Sequence, residues 1–187
     1  MPRTAREWRS RPTLETERLI LRPMRRSDVD AIVALAGDEA VATKTASIPY
    51  PLTYRQAEGW LDRHLREDSG KEVVFAIEHK ADRVFLGAIG LMIGGPREPA
   101  PMGYWLGRPF WNQGYMTEAI RRLLDHVFAD LEVIAVRAAA YPDNPASMRV
   151  QEKAGMTFIG REIEPAPARG GDRLVLVREI TRTQWLR

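Results

Sequence analysis

The sequence predicts an α/β domain built on one mixed sheet, and three observations lead there. Apolar residues switch between a period of two and a period near 3.6 several times along 187 residues. Two β-branched runs, Val73 to Glu78 and Val84 to Leu91, are joined by the short polar stretch H-K-A-D-R, the pattern of an antiparallel hairpin. A strand, helix, strand, helix order then follows, which calls for a mixed sheet.

In order, Leu14 to Arg22 (L-E-T-E-R-L-I-L-R) is an expected strand ended by Pro23. Ser27, with Asp30 three residues on, is a capping-type start for a helix carrying Ile32, Val33 and Leu35. After a proline-containing loop, Ile48 to Leu52, the T-x-x-Q box at Thr53 and Gln56 opens a second helix. Its apolar face is Ala57, Trp60, Leu61 and Leu65. The hairpin follows and is closed by Gly94, Gly95 and Pro96; Met102 to Leu106 is a short further strand. Thr117 to Ala129 is a helix with Ile120, Leu123, Leu124, Val127 and Phe128 on one side, and Val133 to Ala140 is a buried strand. Asn144 to Ala154 is a helix with Gly155 as its C-cap. Thr157 to Ile163 and Arg173 to Ile180 close the domain as a hairpin around P-A-P-A-R-G-G.

Composition narrows the chemistry. Cysteine is absent, which removes disulfides, thiolate metal sites and a cysteine nucleophile together. His64, His79 and His126 show no metal-ligand spacing, so no metal is expected. No apolar run approaches the ~18 residues of a membrane span. The first 13 residues carry four arginines and no apolar block, so they read as a basic tail, not a secretory signal, and a cytoplasmic location is the default expectation. Net charge is +3, with eight arginines in the first 26 residues; the balance suits an anionic ligand, a nucleic-acid or ribosomal surface, or simply a solvated surface. These arginines lack the repeated aromatic interleaving of a single-strand binding groove, so nucleic acid is not the expected partner.

The stretch Trp105 to Ala119, W-L-G-R-P-F-W-N-Q-G-Y-M-T-E-A, runs from a strand end through a turn into a helix. Unpaired backbone N–H groups and the helix dipole make such a turn an anion seat, suited to a diphosphate. Only Gly114 is available in it, so neither the dinucleotide fingerprint nor the P-loop fits. The turn resembles the acyl-CoA loop of the GNAT acetyltransferase superfamily, [QR]-x-x-G-x-[GA], in the register Trp111, Asn112, Gln113, Gly114, Tyr115, Met116. The aromatic-led W-x-x-G-Y-x-T-E-A is the form of its RimJ/RimL-type branch, which includes ribosomal-protein N-terminal acetyltransferases. Further matches are E-R-L-I-L-R-P (Glu17 to Pro23), G-Y-W (Gly103 to Trp105), N-P-A-S (Asn144 to Ser147), E-K-A-G-M (Glu152 to Met156) and T-R-T-Q-W (Thr181 to Trp185). The resemblance covers about Leu14 to Trp185 and implies that residues 14–187 are one GNAT-like domain, with a mixed, mostly antiparallel sheet of about six to seven strands and about four helices.

The resemblance implies transfer of the acetyl group of acetyl-CoA to a primary amine by direct attack in a ternary complex. The strand Tyr104, Trp105, Leu106 would pair with the pantetheine arm, with a backbone N–H near Leu106 facing the thioester oxygen. Asn112, Gln113, Gly114, Tyr115, Met116 and Thr117 would hold the diphosphate, and Met116 would contribute through its N–H with its side chain turned away. Asn144 reads first as an N-cap before proline; by resemblance it also reaches the CoA arm. Ser147 and Tyr141 compete as the acid that protonates the leaving thiolate. Related enzymes often carry a glutamate before the G-Y of this strand, where this chain has Pro101 and Met102. Glu98 is the nearest carboxylate and the candidate base, solvent the alternative; Glu118 reads as a helix-start charge. Residues 41–52 and the first two helices would line the acceptor side. The acceptor is a protein N-terminus or a small amine, and a homodimer is compatible with the family. The rival readings are a non-catalytic acyl-CoA-binding module and a basic RNA- or ribosome-associated protein.

Overall fold

The computed structural model describes residues 12–66, 72–94, 98–131 and 133–187. Its eight strands are β1 (Leu14–Glu15), β2 (Leu19–Pro23), β3 (Glu72–His79), β4 (Phe85–Met92), β5 (Ala100–Leu106), β6 (Ala135–Ala140), β7 (Thr157–Glu164) and β8 (Arg173–Thr181). They form one sheet in the order β1-β2-β3-β4-β5-β6-β8-β7, and only β5 with β6 is parallel. The helices are α1 (Val29–Ala36), α2 (Glu39–Ala42), α3 (Tyr54–Arg66), α4 (Tyr115–Asp130), α5 (Pro145–Lys153) and α6 (Arg182–Trp185). Most of the basic tail, and Gly95 and Pro96, lie outside the described residues.

The expected single strand from Leu14 to Arg22 is two. The chain reverses after Glu15, so that Leu14 pairs with Leu21, and the Thr16 hydroxyl accepts from Leu19 N to hold the turn. The expected Ser27 cap is replaced by a 3-10 turn, Arg26–Asp28, in which the buried Asp28 carboxylate accepts from Arg25 N and is forked by Arg22. Val84 stays in the turn, and the helix expected from Thr117 begins two residues earlier. The two helices beyond the expected four are the single turns α2 and α6, too short to show an apolar period. Elsewhere the signals hold: Thr53 and Gln56 cap α3 reciprocally, and Gly155 ends α5 region at φ +89°.

Each face of the sheet carries its own helix layer. On α4 the side chains of Ile120, Leu123, Leu124, Val127 and Phe128 are fully buried against Leu21, Phe75, Ile77, Ile89 and Met102. At roughly 2 kcal/mol each, those five contribute about 10 kcal/mol of gross transfer energy. On the other face, α1 and α3 bury Ile32, Ala57 and Leu61 over Val74, Ala76, Phe85 and Ala88.

The parallel pair positions the site. β5 meets β6 only from Ala100 to Met102, opposite Val136 to Ala138. Beyond that β6 stays with β8 through Ala140, while β5 continues with β4 to Leu106. The two strands therefore diverge at their carboxyl ends, each leading into a helix, and leave a wedge between them.

Candidate active site

The wedge opens into a cleft of about 1440 Å³ that crosses the molecule. One wall is Gly103 to Leu106 of β5, the turn into α4 and the start of α5. The opposite wall is α1, residues 44–49 and α3.

Strand alternation sets the chemistry of the β5 wall. Gly107 N donates to Leu86 O on the β4 side, so the amides of Leu106 and Tyr104 point to the open side. Side chains alternate likewise: Tyr104 reaches toward α5, and Trp105 packs against Phe85 under the α1/α3 layer.

The turn after β5 is pre-formed. The Trp111 indole donates to Leu106 O at 2.8 Å, Gln113 Nε2 donates to Pro109 O at 2.9 Å, and Arg18 Nη1 donates to Gln113 O at 3.0 Å. Asn112 sits at φ +60° and Gly114 at φ +82°, left-handed positions that reverse the chain before α4. The first intrahelical bond runs from Glu118 N to Gly114 O, which leaves the amides of Tyr115, Met116 and Thr117 for a ligand. Met116 is 5% exposed and its side chain packs in the core, so the long side chain leaves the mouth of the turn clear.

Glu118 anchors this turn rather than capping the helix. It accepts from the Thr16 hydroxyl at 2.5 Å, from Arg18 N at 3.0 Å and from Arg18 Nε at 2.8 Å, while the Arg18 guanidinium lies 4.6 Å over the Tyr115 ring. Burial works against its charge, but these donors outweigh it and hold the carboxyl below its usual range.

At the start of α5, Asn144 Oδ1 accepts from Ser147 N at 3.1 Å, the expected cap. Ser147 Oγ lies 2.8 Å from Tyr104 Oη, and Gln151 Nε2 donates to both, at 3.3 and 3.1 Å. Tyr141, at the end of β6, lines the cleft. Its hydroxyl is buried with no hydrogen-bond partner among the described residues, and burial pushes its pKa up against the nearby charges of Arg169 and Arg173.

The structure thus brings Tyr104, Trp105, Leu106, Asn112, Gly114, Tyr115, Met116, Thr117, Tyr141, Asn144 and Ser147 to one cleft. Gln113 is not part of the lining, since its side chain folds back on Pro109. Glu98 is not part of it either; its carboxylate lies beside Gly94, in the β4–β5 connection.

Two side chains escaped the sequence reading. Gln151 follows Ser147 by four residues, a helical spacing that places both on one face and was there to be read. Glu164, at the end of β7, lines the cleft near Tyr141, and only the fold brings it there. Burial, followed by the like charge of Glu162, pushes its carboxyl up. The other carboxylates of the lining are engaged: Asp143 pairs with Lys44 at 2.7 Å and Glu72 faces His64 at 3.5 Å. Among the described residues no group of histidines and carboxylates is arranged to hold a metal ion.

Comparison with known proteins identifies the family of this fold. Residues 18–157 match the family model "Acetyltransferase (GNAT) domain". The uncharacterized N-acetyltransferase p20 of Bacillus licheniformis is 30% identical over 164 residues, which cover 84% of this chain and 90% of the relative. A spermidine N-acetyltransferase from Vibrio cholerae, solved with CoA and spermine, superposes with a TM-score of 0.76 at 20% identity, over 92% of this chain and all of the other. RimL, a ribosomal α-N-protein acetyltransferase solved with coenzyme A, gives 0.76 at 19% identity, over 91% of this chain and 98% of the other. The chain belongs to the GNAT acetyltransferase family, enzymes that take their acetyl group from acetyl-CoA.

Proposed function

We propose that this protein is a RimJ/RimL-type N-acetyltransferase that transfers acetyl from acetyl-CoA to the α-amine of a polypeptide. The observation that carries the reading is the wedge between β5 and β6, with the N-terminus of α4 at its mouth and the Ser147 hydroxyl on its wall.

The diphosphate of the cofactor rests on the amides of Tyr115, Met116 and Thr117, favoured by the α4 dipole. Its pantetheine arm enters the wedge and adds to the free edge of β5, where Leu106 and Tyr104 present amides two residues, about 6.6 Å, apart. Leu106 lies nearer the diphosphate, so its N–H serves the arm, and the deeper Tyr104 N–H, in place of the one expected near Leu106, faces the thioester oxygen. A donor held there contributes about 3 kcal/mol as charge develops on that oxygen. Positioning of amine and thioester supplies more, roughly 7 to 11 kcal/mol.

The amine attacks the thioester carbon directly. Its proton passes through water to Glu164, a cleft carboxylate without a cationic partner among the described residues and already biased toward holding a proton. Ser147 protonates the thiolate as the C–S bond breaks. Tyr141 is the weaker candidate, because its hydroxyl is enclosed.

Arg55 and Arg63, eight residues apart on α3, both line the acceptor wall. Two fixed cations there oppose a polyamine and tolerate a chain end with neutral or acidic side chains. The test is thiol release from acetyl-CoA against a panel of peptide N-termini, amino acids and polyamines. Turnover confined to peptides is expected; a preference for spermidine overturns the acceptor, and no release with any amine overturns the catalytic reading.

A further inference from the structure

Three polar groups meet beside the wedge with four protons between them: two on the Gln151 amide, one on Tyr104 and one on Ser147. Gln151 is fully buried on α5, Tyr104 comes from β5, and Ser147 from the first turn of α5. The three mutual contacts, at 2.8, 3.1 and 3.3 Å, use three of those protons when the amide nitrogen faces the hydroxyls. With the amide oxygen facing them instead, only two protons serve three contacts and one pair of oxygens is left in repulsion. The amide's far atom, Oε1, finds no partner among the described residues, so the near side decides its orientation.

One proton is left over, and its owner matters. On Tyr104 its other acceptor is Ser147 O at 3.5 Å, too long to be worth much. On Ser147, which lines the cleft, it is free to point into the cleft. Tyr104 and Gln151 therefore both donate to Ser147 Oγ, and Ser147 donates outward.

Resting on the transferase reading above, we infer that Ser147 is the exit of a proton relay whose source is Tyr104, with Gln151 as the positioning residue that sets its direction. Acid strengths require a second member. A thiol ionises near pH 8.5 and a phenol near pH 10, whereas an aliphatic hydroxyl is a far weaker acid, close to water itself. Ser147 acting alone would be left as an alkoxide. In the relay the C–S bond breaks with its electron pair on sulfur, sulfur takes the Ser147 proton and Ser147 takes the Tyr104 proton. The phenolate, still held by Gln151 Nε2–H, is reprotonated from water. Burial pushes the Tyr104 phenol up, against the weaker pull of its Ser147 and Gln151 bonds, so the donor is loaded across the working pH range.

The test compares Tyr104→Phe, Gln151→Leu and Ser147→Ala, singly and combined, by thiol release with the best peptide acceptor, and by calorimetry with CoA. The wild-type rate comes first: with none, the transferase reading and the relay fall together. Against a measurable rate, Tyr104→Phe and Gln151→Leu should each lower kcat at least tenfold, with acetyl-CoA KM and CoA affinity within twofold. In the Ser147→Ala background neither should cost anything more, because both act through Ser147. Losses that multiply with that of Ser147→Ala, losses confined to CoA affinity, or kcat within twofold of wild type would each overturn the relay and leave the transferase standing. Thermal melts separate these outcomes from misfolding, and the Phe variant, which keeps the ring, serves if Gln151→Leu does not fold.

Discussion

Gly114 is the residue on which cofactor binding turns. Its φ of +82° places any side chain in a conformation that costs about 1–2 kcal/mol, and a Cβ there would lie 3.4 Å from Arg18 Nη2. Gly114→Asp adds a negative charge where the diphosphate would sit, so calorimetry should show CoA affinity lowered by tenfold or more. Glu164 makes a prediction in pH. A base works only when deprotonated, and this carboxyl is pushed up, so kcat/KM should fall on acidification at a pH above the ordinary carboxylate range. Glu164→Gln should lower kcat/KM and flatten that acid limb; an unchanged limb would assign it to another group. Glu164 shows what one residue in a sequence hides. Nothing in the sequence around it differs from a solvated strand end, and its environment comes from burial in the fold and then from the like charge of Glu162.

At the scale of elements, α4 is both a core helix and the back of the anion seat. Its anchor to the β1–β2 turn, through Glu118, Thr16 and Arg18, keeps its first turn in place. Glu118→Ala should cost about 1–2 kcal/mol of stability, the lower part of that range applying because Arg18 is 41% exposed, and should weaken CoA binding as well. Glu118 has its folded pKa lowered, so its contribution is complete above the unfolded value of 4.5 and is lost as pH falls through the lower folded value. Wild-type melting temperature should therefore drop more steeply below pH 4.5 than that of Glu118→Gln. The helices with a long apolar period, α3 and α4, were legible from the sequence, as was the antiparallel run of β3, β4 and β5. The single turns α2 and α6 and the break between β1 and β2 were not. Their form is decided by side-chain contacts with distant segments, such as Thr16 with Glu118, and not by periodicity.

Across the whole molecule, two buried layers hold one sheet open at a single place. Arg22, 4% exposed, is clamped by Asp28 at 2.8 Å and by Glu78 at 2.5 Å, tying β2, the 3-10 turn before α1 and β3 together beneath the acceptor wall. Removing one partner strands a buried charge, so Asp28→Ala should destabilise the fold by about 3–5 kcal/mol in urea titration. The mixed sheet, the loop before α4 and the cap at Asn144 could be read from residue order because each follows from local patterns. The wedge could not, since it arises where the parallel register of β5 and β6 ends at Met102 and Ala138. That opening is the centre of the functional account, and a crystal structure with acetyl-CoA tests it most directly. The account predicts diphosphate oxygens within about 3 Å of the amide nitrogens of Tyr115, Met116 and Thr117, with the pantetheine arm lying between β5 and β6. A diphosphate seated elsewhere, or an arm running outside the wedge, would contradict it.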